Sequence, residues 1–316
     1  MESSTGLQSE GEVTGRPPVG PQPTALQLSQ QQRMRAATSL WGDAWRRLRR
    51  NRAAVAGLIF LVALILAAIA APLLTPYDAY KPDFASTLQT PSREHPLGTD
   101  ELGRDMVARL LYGARVSLAV GLVVQTFALA LGTLLGLTAG YFGGVVDVII
   151  MRVVDIMYAF PNFLFAVFMV SLLNPSILSI ILVLSVVGWP FATRLVRGQV
   201  LSLREWDFVD AARVVGASNW RIMTRHILTN TLSPIIVAFT IGIAGVIMAE
   251  AGLSFLGIGI RPPNPTWGGM IAKGRTYFRT FPYLALYPSI ILGLTVLAFN
   301  FLGDGLRDAL DPRLRR

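Results

Sequence analysis

Six stretches of the chain stay apolar long enough to cross a bilayer, at residues 53–74, 116–142, 156–173, 176–193, 232–249 and 284–303. A hydrocarbon core about 30 Å thick takes roughly 20 helical residues, so each stretch predicts one spanning helix and together they predict an all-α membrane protein with six transmembrane helices. Glycine and proline interrupt the runs at Gly132, Gly136, Pro161, Gly188, Pro190, Pro234, Gly242 and Gly245, which predicts bent, closely packed helices. The longest polar interruption between the later runs is residues 194–230. Within it, Phe208, Ala211, Ala212 and Val215 recur at helical spacing, and so do Trp220, Met223, Ile227 and Leu228. Gly216 lies between the two sets and Ser218 or Asn219 follows as a cap, so the pattern is a helix, a bend and a helix.

Composition agrees with a membrane protein. Of 316 residues, 53% are hydrophobic and 15% charged, with a mean hydropathy of +0.52. The chain has no cysteine, which removes disulfides, thiolate metal sites and cysteine catalysis. The net charge of +9 comes from arginines that flank the apolar runs instead of forming one stripe, so it reports orientation and not nucleic acid. Arg46, Arg47, Arg49, Arg50 and Arg52 precede the first run, six arginines face three acids over 194–225, and the chain ends on Arg313, Arg315 and Arg316. All three segments are expected in the cytoplasm, together with both termini. The loop 251–282 opposes this rule, with four basic residues and no acid on the expected outer side. Residues 1–40 are rich in Ser, Gln, Pro and Gly and are expected to form a disordered cytoplasmic tail, and residues 311–316 are expected to form a short cytoplasmic tail. A cleaved signal peptide competes for the first run, since Ala68 and Ala70 flank Ile69, but the run is too long and its leader too extended. The remaining divisions are a first helix with its outer loop at 41–115 and a core at 116–310 with its cytoplasmic loop at 194–230.

Candidate chemistry is sparse. His95, Asp100, Glu101 and Asp105 form a short polar cluster, for which a helix capped by Thr99, with Leu102, Met106 and Leu110 on one face, is a simpler reading than a metal site. Arg152 and Asp155 are spaced as an intrahelical pair. Glu250 is a carboxylate at a membrane end with no basic residue in its own run. It either lines a translocation path or is a helix-end carboxylate bonded to the backbone or to Arg261. No phosphate loop of the Gly-x-x-x-x-Gly-Lys-Ser/Thr type is present, so the chain cannot power itself.

Residues Asp210, Ala211 and Ala212, then Gly216, then Leu228 follow the order of the cytoplasmic loop that marks permease subunits of bacterial ABC importers, which this stretch resembles. Aspartate stands where that loop has glutamate, and Thr229 where it has proline. The runs HPLGTDELGRD at 95–105 and RLLYGARVSL at 109–118 are similar to the dipeptide/oligopeptide branch, and the segments at 249–269 and 295–313 resemble its C-type permease. The resemblance covers roughly residues 45–313. It implies a type I ABC importer permease fold in a bacterial inner membrane, with a second permease subunit, two ATPase subunits and an extracytoplasmic peptide-binding protein as partners. ATP and Mg would be bound by those ATPases, and no cofactor by this chain. It further implies that Asp210, Ala211, Ala212 and Gly216 dock the ATPase, with Arg213 and Val215 flanking. A nickel or metal-chelate importer shares these motifs. An autonomous channel or secondary carrier would leave the loop unexplained.

Overall fold

The computed structural model describes residues 40–310; apart from Leu40, the expected tails at 1–40 and 311–316 lie outside them. Helices α1 (Leu40–Leu48), α2 (Arg52–Ile69) and the short α3 (Ala71–Leu74) precede a loop, followed by α4 (Met106–Phe142), α5 (Gly144–Tyr158), α6 (Asn162–Leu172) and α7 (Ile177–Leu203). Then come α8 (Asp207–Val214), α9 (Asn219–Phe255), α10 (Trp267–Thr276) and α11 (Tyr283–Leu310). Among the described residues there is one isolated β-bridge, Thr99 to Asp105, and the architecture is otherwise helical.

The most extensive helix pair is α4 with α7. Small residues make it close. A Cβ added to Gly132 would lie 2.4 Å from Cβ of Ala192, one on Gly136 would lie 2.7 Å from the Thr193 carbonyl oxygen, and one on Gly140 would lie 2.7 Å from Cβ of Val200. Further along, Val120 and Val124 pack with Ile180, Val183 and Leu184. Residue numbers therefore rise together in both helices, so α4 and α7 run parallel. Parallel neighbours need a connection that recrosses the bundle, and only α5 and α6 lie between them. These two meet at 83°. Pro161 is the cause: it has no N–H to continue the helix and restricts Phe160 before it, so the chain breaks there. The third span is thus one bent crossing that begins at Gly144, not the straight helix expected over 156–173, and the five long helices with this pair make six crossings.

The other long helices alternate. Gly121 of α4 meets Ile243 and Ile247 of α9, and Gln125 Nε2 donates to the Ala238 carbonyl at 3.2 Å, which makes these two antiparallel. In α2, Gly57 packs on Ala298 and Ala54 on Gly305 of α11, again antiparallel. Leu61, Leu64, Ile243, Ile247, Leu292 and Phe299 fill the space between α2, α9 and α11. One end of the bundle holds the starts of α2 and α9 with the ends of α4, α7 and α11, and is called the loop end below. The far end holds residues 70–105 and 256–283.

Two of the helices, α4 and α7, extend past their apolar runs with charges inside them paired. Arg109, inside α4, binds Asp100 at 3.1 Å, and Arg197 of α7 binds Asp147 of α5 through two bonds of 2.5 and 2.6 Å. At the end of α2, Pro72 has no N–H to offer, and Arg115 of α4 donates instead to the Ala68 and Ile69 carbonyls. Two expected local arrangements differ. Asp155 pairs with Arg194 at 2.6 Å across helices, not with Arg152. The cap of α4 is Asp105, which accepts from Ala108 N at 2.8 Å; Thr99 cannot start that helix because Gly103, at φ +75°, turns the chain first.

The seam yields opposite signs for two glycine-to-alanine changes. Gly136→Ala should lower stability by about 1–3 kcal/mol through overpacking. Gly198→Ala, where an added Cβ meets nothing within 4 Å, should raise it by about 0.5–1 kcal/mol. Thermal unfolding of the detergent-solubilised chain measures both.

Candidate functional site

The loop end carries the predicted helix–bend–helix. Asp207 and Asp210 sit in the first turn of α8, where the helix dipole favours anions. The helix ends in a Schellman motif: Gly216 N–H donates to the Arg213 carbonyl and Ala217 N–H to that of Ala212, both at 3.0 Å. This motif needs a left-handed residue, and Gly216 is at φ +78°. Ser218 then caps α9 by accepting from Arg221 N–H at 3.4 Å. Val209 and Ala212 turn inward onto Ile222, Met223 and Ile227 of α9, with Leu137, Val196 and Val200 of the α4–α7 pair beneath. Tyr141 Oη donates to Asn219 Oδ1 at 2.8 Å and holds the start of α9 to α4. The bend is therefore attached to the parallel helix pair by packing on one side and left open on the other. Its open side is apolar, with Val214 87%, Val215 82% and Trp220 66% exposed. Asp210 and Arg213 form an exposed pair at 2.7 Å beside them.

Within α9, residues Ile222–Ile227 form a π-helical turn, so loop and span are one continuous element. Side chains take up carbonyls around it: Thr229 Oγ1 donates to the Arg225 carbonyl at 3.0 Å and Asn230 Nδ2 to the His226 carbonyl at 2.6 Å. Thr229 thus sits where the helix continues, and a separate span starting at residue 232 is not formed.

Toward the far end of α9, Glu250 is fully buried. Its carboxylate accepts from Ser254 Oγ at 2.7 Å and Ser117 Oγ at 3.5 Å, and the Thr266 side chain bonds to it as well. Ser117 lies in α4, while Thr266 caps α10 by accepting from Gly269 N–H at 3.0 Å. One carboxylate therefore joins α4, α9 and the 257–276 hairpin. The hairpin is seated by Trp267, whose Nε1 donates to the Leu110 carbonyl at 3.2 Å. Close packing of Gly268 on the Ala251 backbone adds to this, since a Cβ there would meet it at 2.4 Å.

Residues 132–316 match the family of binding-protein-dependent transport system inner membrane components, and residues 39–91 match the N-terminal transmembrane domain of oligopeptide transport permease C. The chain is 46% identical to the dipeptide transport system permease protein of Alkalihalophilus pseudofirmus, over 88% of this chain and 92% of that one. The chain belongs to this permease family. Its C-type branch is shared with the dipeptide permease of Bacillus subtilis, at 41% identity over 89% of this chain and 88% of that one. The glutathione transport system permease of Escherichia coli is 44% identical over 87% of this chain and 91% of that one. An inward-facing MetNI methionine ABC transporter superposes with a TM-score of 0.52 at 21% identity, covering 64% of this chain and 96% of that one, which shows the type I importer fold.

Several residues of the permease sit differently from the pattern reading. On α8 the inward face is Val209 and Ala212, with Phe208 half-buried, whereas Ala211 and Val215 are exposed. On α9 the inward residues are Ile222, Met223 and Ile227, and Trp220 points out. Glu250 reaches no open space and has hydroxyl partners instead of Arg261. Ser254 lies one helical turn from Glu250, a spacing the sequence shows, whereas Ser117 and Thr266 come from other stretches and only the fold brings them in. Their one signal is a polar residue near the end of each otherwise apolar segment. His95 bonds through Nδ1 to Asp105 Oδ2 at 3.0 Å, and no group of three metal-ligating side chains is found among the described residues.

Removing the shared acceptor should loosen the far end. Glu250→Ala leaves three hydroxyls without their partner and should cost about 1–3 kcal/mol in thermal unfolding. Glu250→Gln keeps an oxygen for Ser254 and should cost less.

Proposed function

We propose that this permease pairs with a second, related permease to form the path by which an ATP-driven importer takes in di- and oligopeptides delivered by an extracytoplasmic binding protein. Two ATPase subunits hydrolyse ATP for the complex, and the chain has no enzymatic role of its own. The observation that carries this reading is the apolar surface of Val214, Val215 and Trp220, held out from the bundle on a bend that is itself tied to α4 and α7. Exposed apolar groups cluster where a partner covers them. Asp210, Ala211, Arg213, Val215 and Gly216 form or flank that surface, while Ala212 acts from behind by allowing α8 to approach α9.

In this reading the loop end is cytoplasmic, and so are both chain ends, since the start of α2 and the end of α11 lie at that end. The basic residues before α2 and around the loop favour the same orientation. The membrane is the bacterial inner membrane. Motion at the bend passes without a joint into α9, because the π-helical turn continues directly into the span, and π-turns concentrate at functional positions. Dipeptides and glutathione are the cargoes named for the relatives, and a short peptide is the substrate class taken here.

The test is uptake by the complete transporter, reconstituted with its ATPases and binding protein, using labelled dipeptide and labelled nickel with and without ATP. Dipeptide entry that requires ATP is expected. Nickel entry alone would move the permease to the metal branch, and ATP-independent flux would overturn the coupling. Gly216→Pro cannot hold φ +78° or donate to Arg213, so it should abolish ATP-driven uptake while membrane insertion is retained.

A further inference from the structure

The far end contains a cavity of about 350 Å³, between the start of α4, the end of α9 and the 257–273 hairpin. That volume falls in the range of about 300–1,000 Å³ typical of small-molecule sites. Its charges do not balance. Arg104 and Arg109 are both buried and share one acid, with Asp100 Oδ2 2.8 Å from Arg104 Nε and 3.1 Å from Arg109 Nε. Glu101 lies 3.6 Å from Arg104 and completes a network of two acids with two arginines. Arg261 and Lys273 also line the cavity, are exposed, and make no ion pair among the described residues. Two lining hydroxyls, Ser254 and Thr266, are turned toward Glu250 and so are already engaged.

The same two cations belong to a segment, residues 251–282, that carries four basic residues and no acid. With the loop end cytoplasmic, this segment lies outside, where basic residues oppose the orientation preference of the chain. The reading of the permease as an importer subunit leaves that excess unexplained. A concave site whose largely apolar wall carries two unneutralised cations is matched by an anionic ligand group, and charge-assisted bonds to a carboxylate are the strong form of that match.

We propose that Arg261 and Lys273 bind the carboxylate of the incoming peptide at the outer mouth of the path. This rests on the peptide-importer reading above, and the C-terminal carboxylate is the one anionic group that unmodified dipeptides have in common. The site is a specificity element: it favours substrates with a free carboxylate over their amides at the moment of entry.

The absence of cysteine from the chain gives a direct readout. Asn264, another lining residue, is replaced by cysteine in the complete transporter, and the rate of maleimide labelling from outside is followed without binding protein. A dipeptide with a free carboxylate should slow labelling several-fold, and its C-terminal amide should not. The protection should vanish in the Arg261→Gln, Lys273→Gln double variant. Equal protection by acid and amide, protection that survives the double variant, or none up to about 10 mM peptide, beyond even a weak site, would each overturn the proposal. Uptake then identifies the alternative: an equal loss for all cargoes in the double variant, with no protection, assigns the cations to contact with the binding protein. Failure of the importer reading is distinct, since it appears as no ATP-dependent uptake of dipeptide by the unsubstituted complex.

Discussion

The parallel contact between α4 and α7 constrains everything else in this fold. Gly132, Gly136 and Gly140 let the two backbones approach until the carbonyls of Trp189, Thr193 and Arg197 touch the opposite helix. In lipid there is little hydrophobic drive between helices, so association depends on such close packing and on the bonds it permits. Because the two helices point the same way, the chain must return between them, and the bent α5–α6 pair is the return. The bend at Pro161 places Asp147 and Asp155 of α5 against Arg197 and Arg194 of α7. The same contact fixes the platform of Leu137, Val196 and Val200 on which the loop helix α8 rests. Packing in the membrane and geometry of the loop are thus one arrangement.

The two ends of the bundle are built by different means. At the loop end, a short helix with one small inward residue, Ala212, is held by apolar contact and leaves Val214, Val215 and Trp220 to solvent. Apolar contact lets such an element follow a partner as a rigid body. At the far end, hydrogen bonds and ion pairs dominate. Glu250 gathers three hydroxyls, Asp100 joins Arg104 and Arg109, and Asp105 joins His95 to the start of α4. Buried polar networks of this kind are costly to leave half-satisfied, so they hold one geometry. α9 joins the two ends as a single element from Asn219 to Phe255.

Local features were legible in the sequence wherever the chain neighbours decide them. The bend at Gly216, the Ser218 cap and six crossings follow from composition and period. Features decided at long range were not. The inward face of α8 depends on what α9 and α7 place beneath it, so Val209 and not Phe208 or Val215 points in. Asp155 finds Arg194 and Asp147 finds Arg197, partners 39 and 50 residues away, although Arg152 lies within reach in sequence. The span limits failed for a related reason: paired arginines are tolerated inside helices that a count of charges would have ended. Glu250 illustrates the general case, since its alternatives could be stated from one stretch but its partner Ser117 is 133 residues away.

In the proposed importer, the exposed bend of α8 and α9 is the contact through which ATP hydrolysis moves the spans. The most direct test is a Val215→Cys permease in the complete complex, carrying a short photo-activated crosslinker at the single thiol. A crosslink to the ATPase subunit that changes in yield between ATP-bound and ATP-free states is expected. Free reaction of that thiol with a water-soluble maleimide in the assembled complex, with no crosslink in either state, would contradict it.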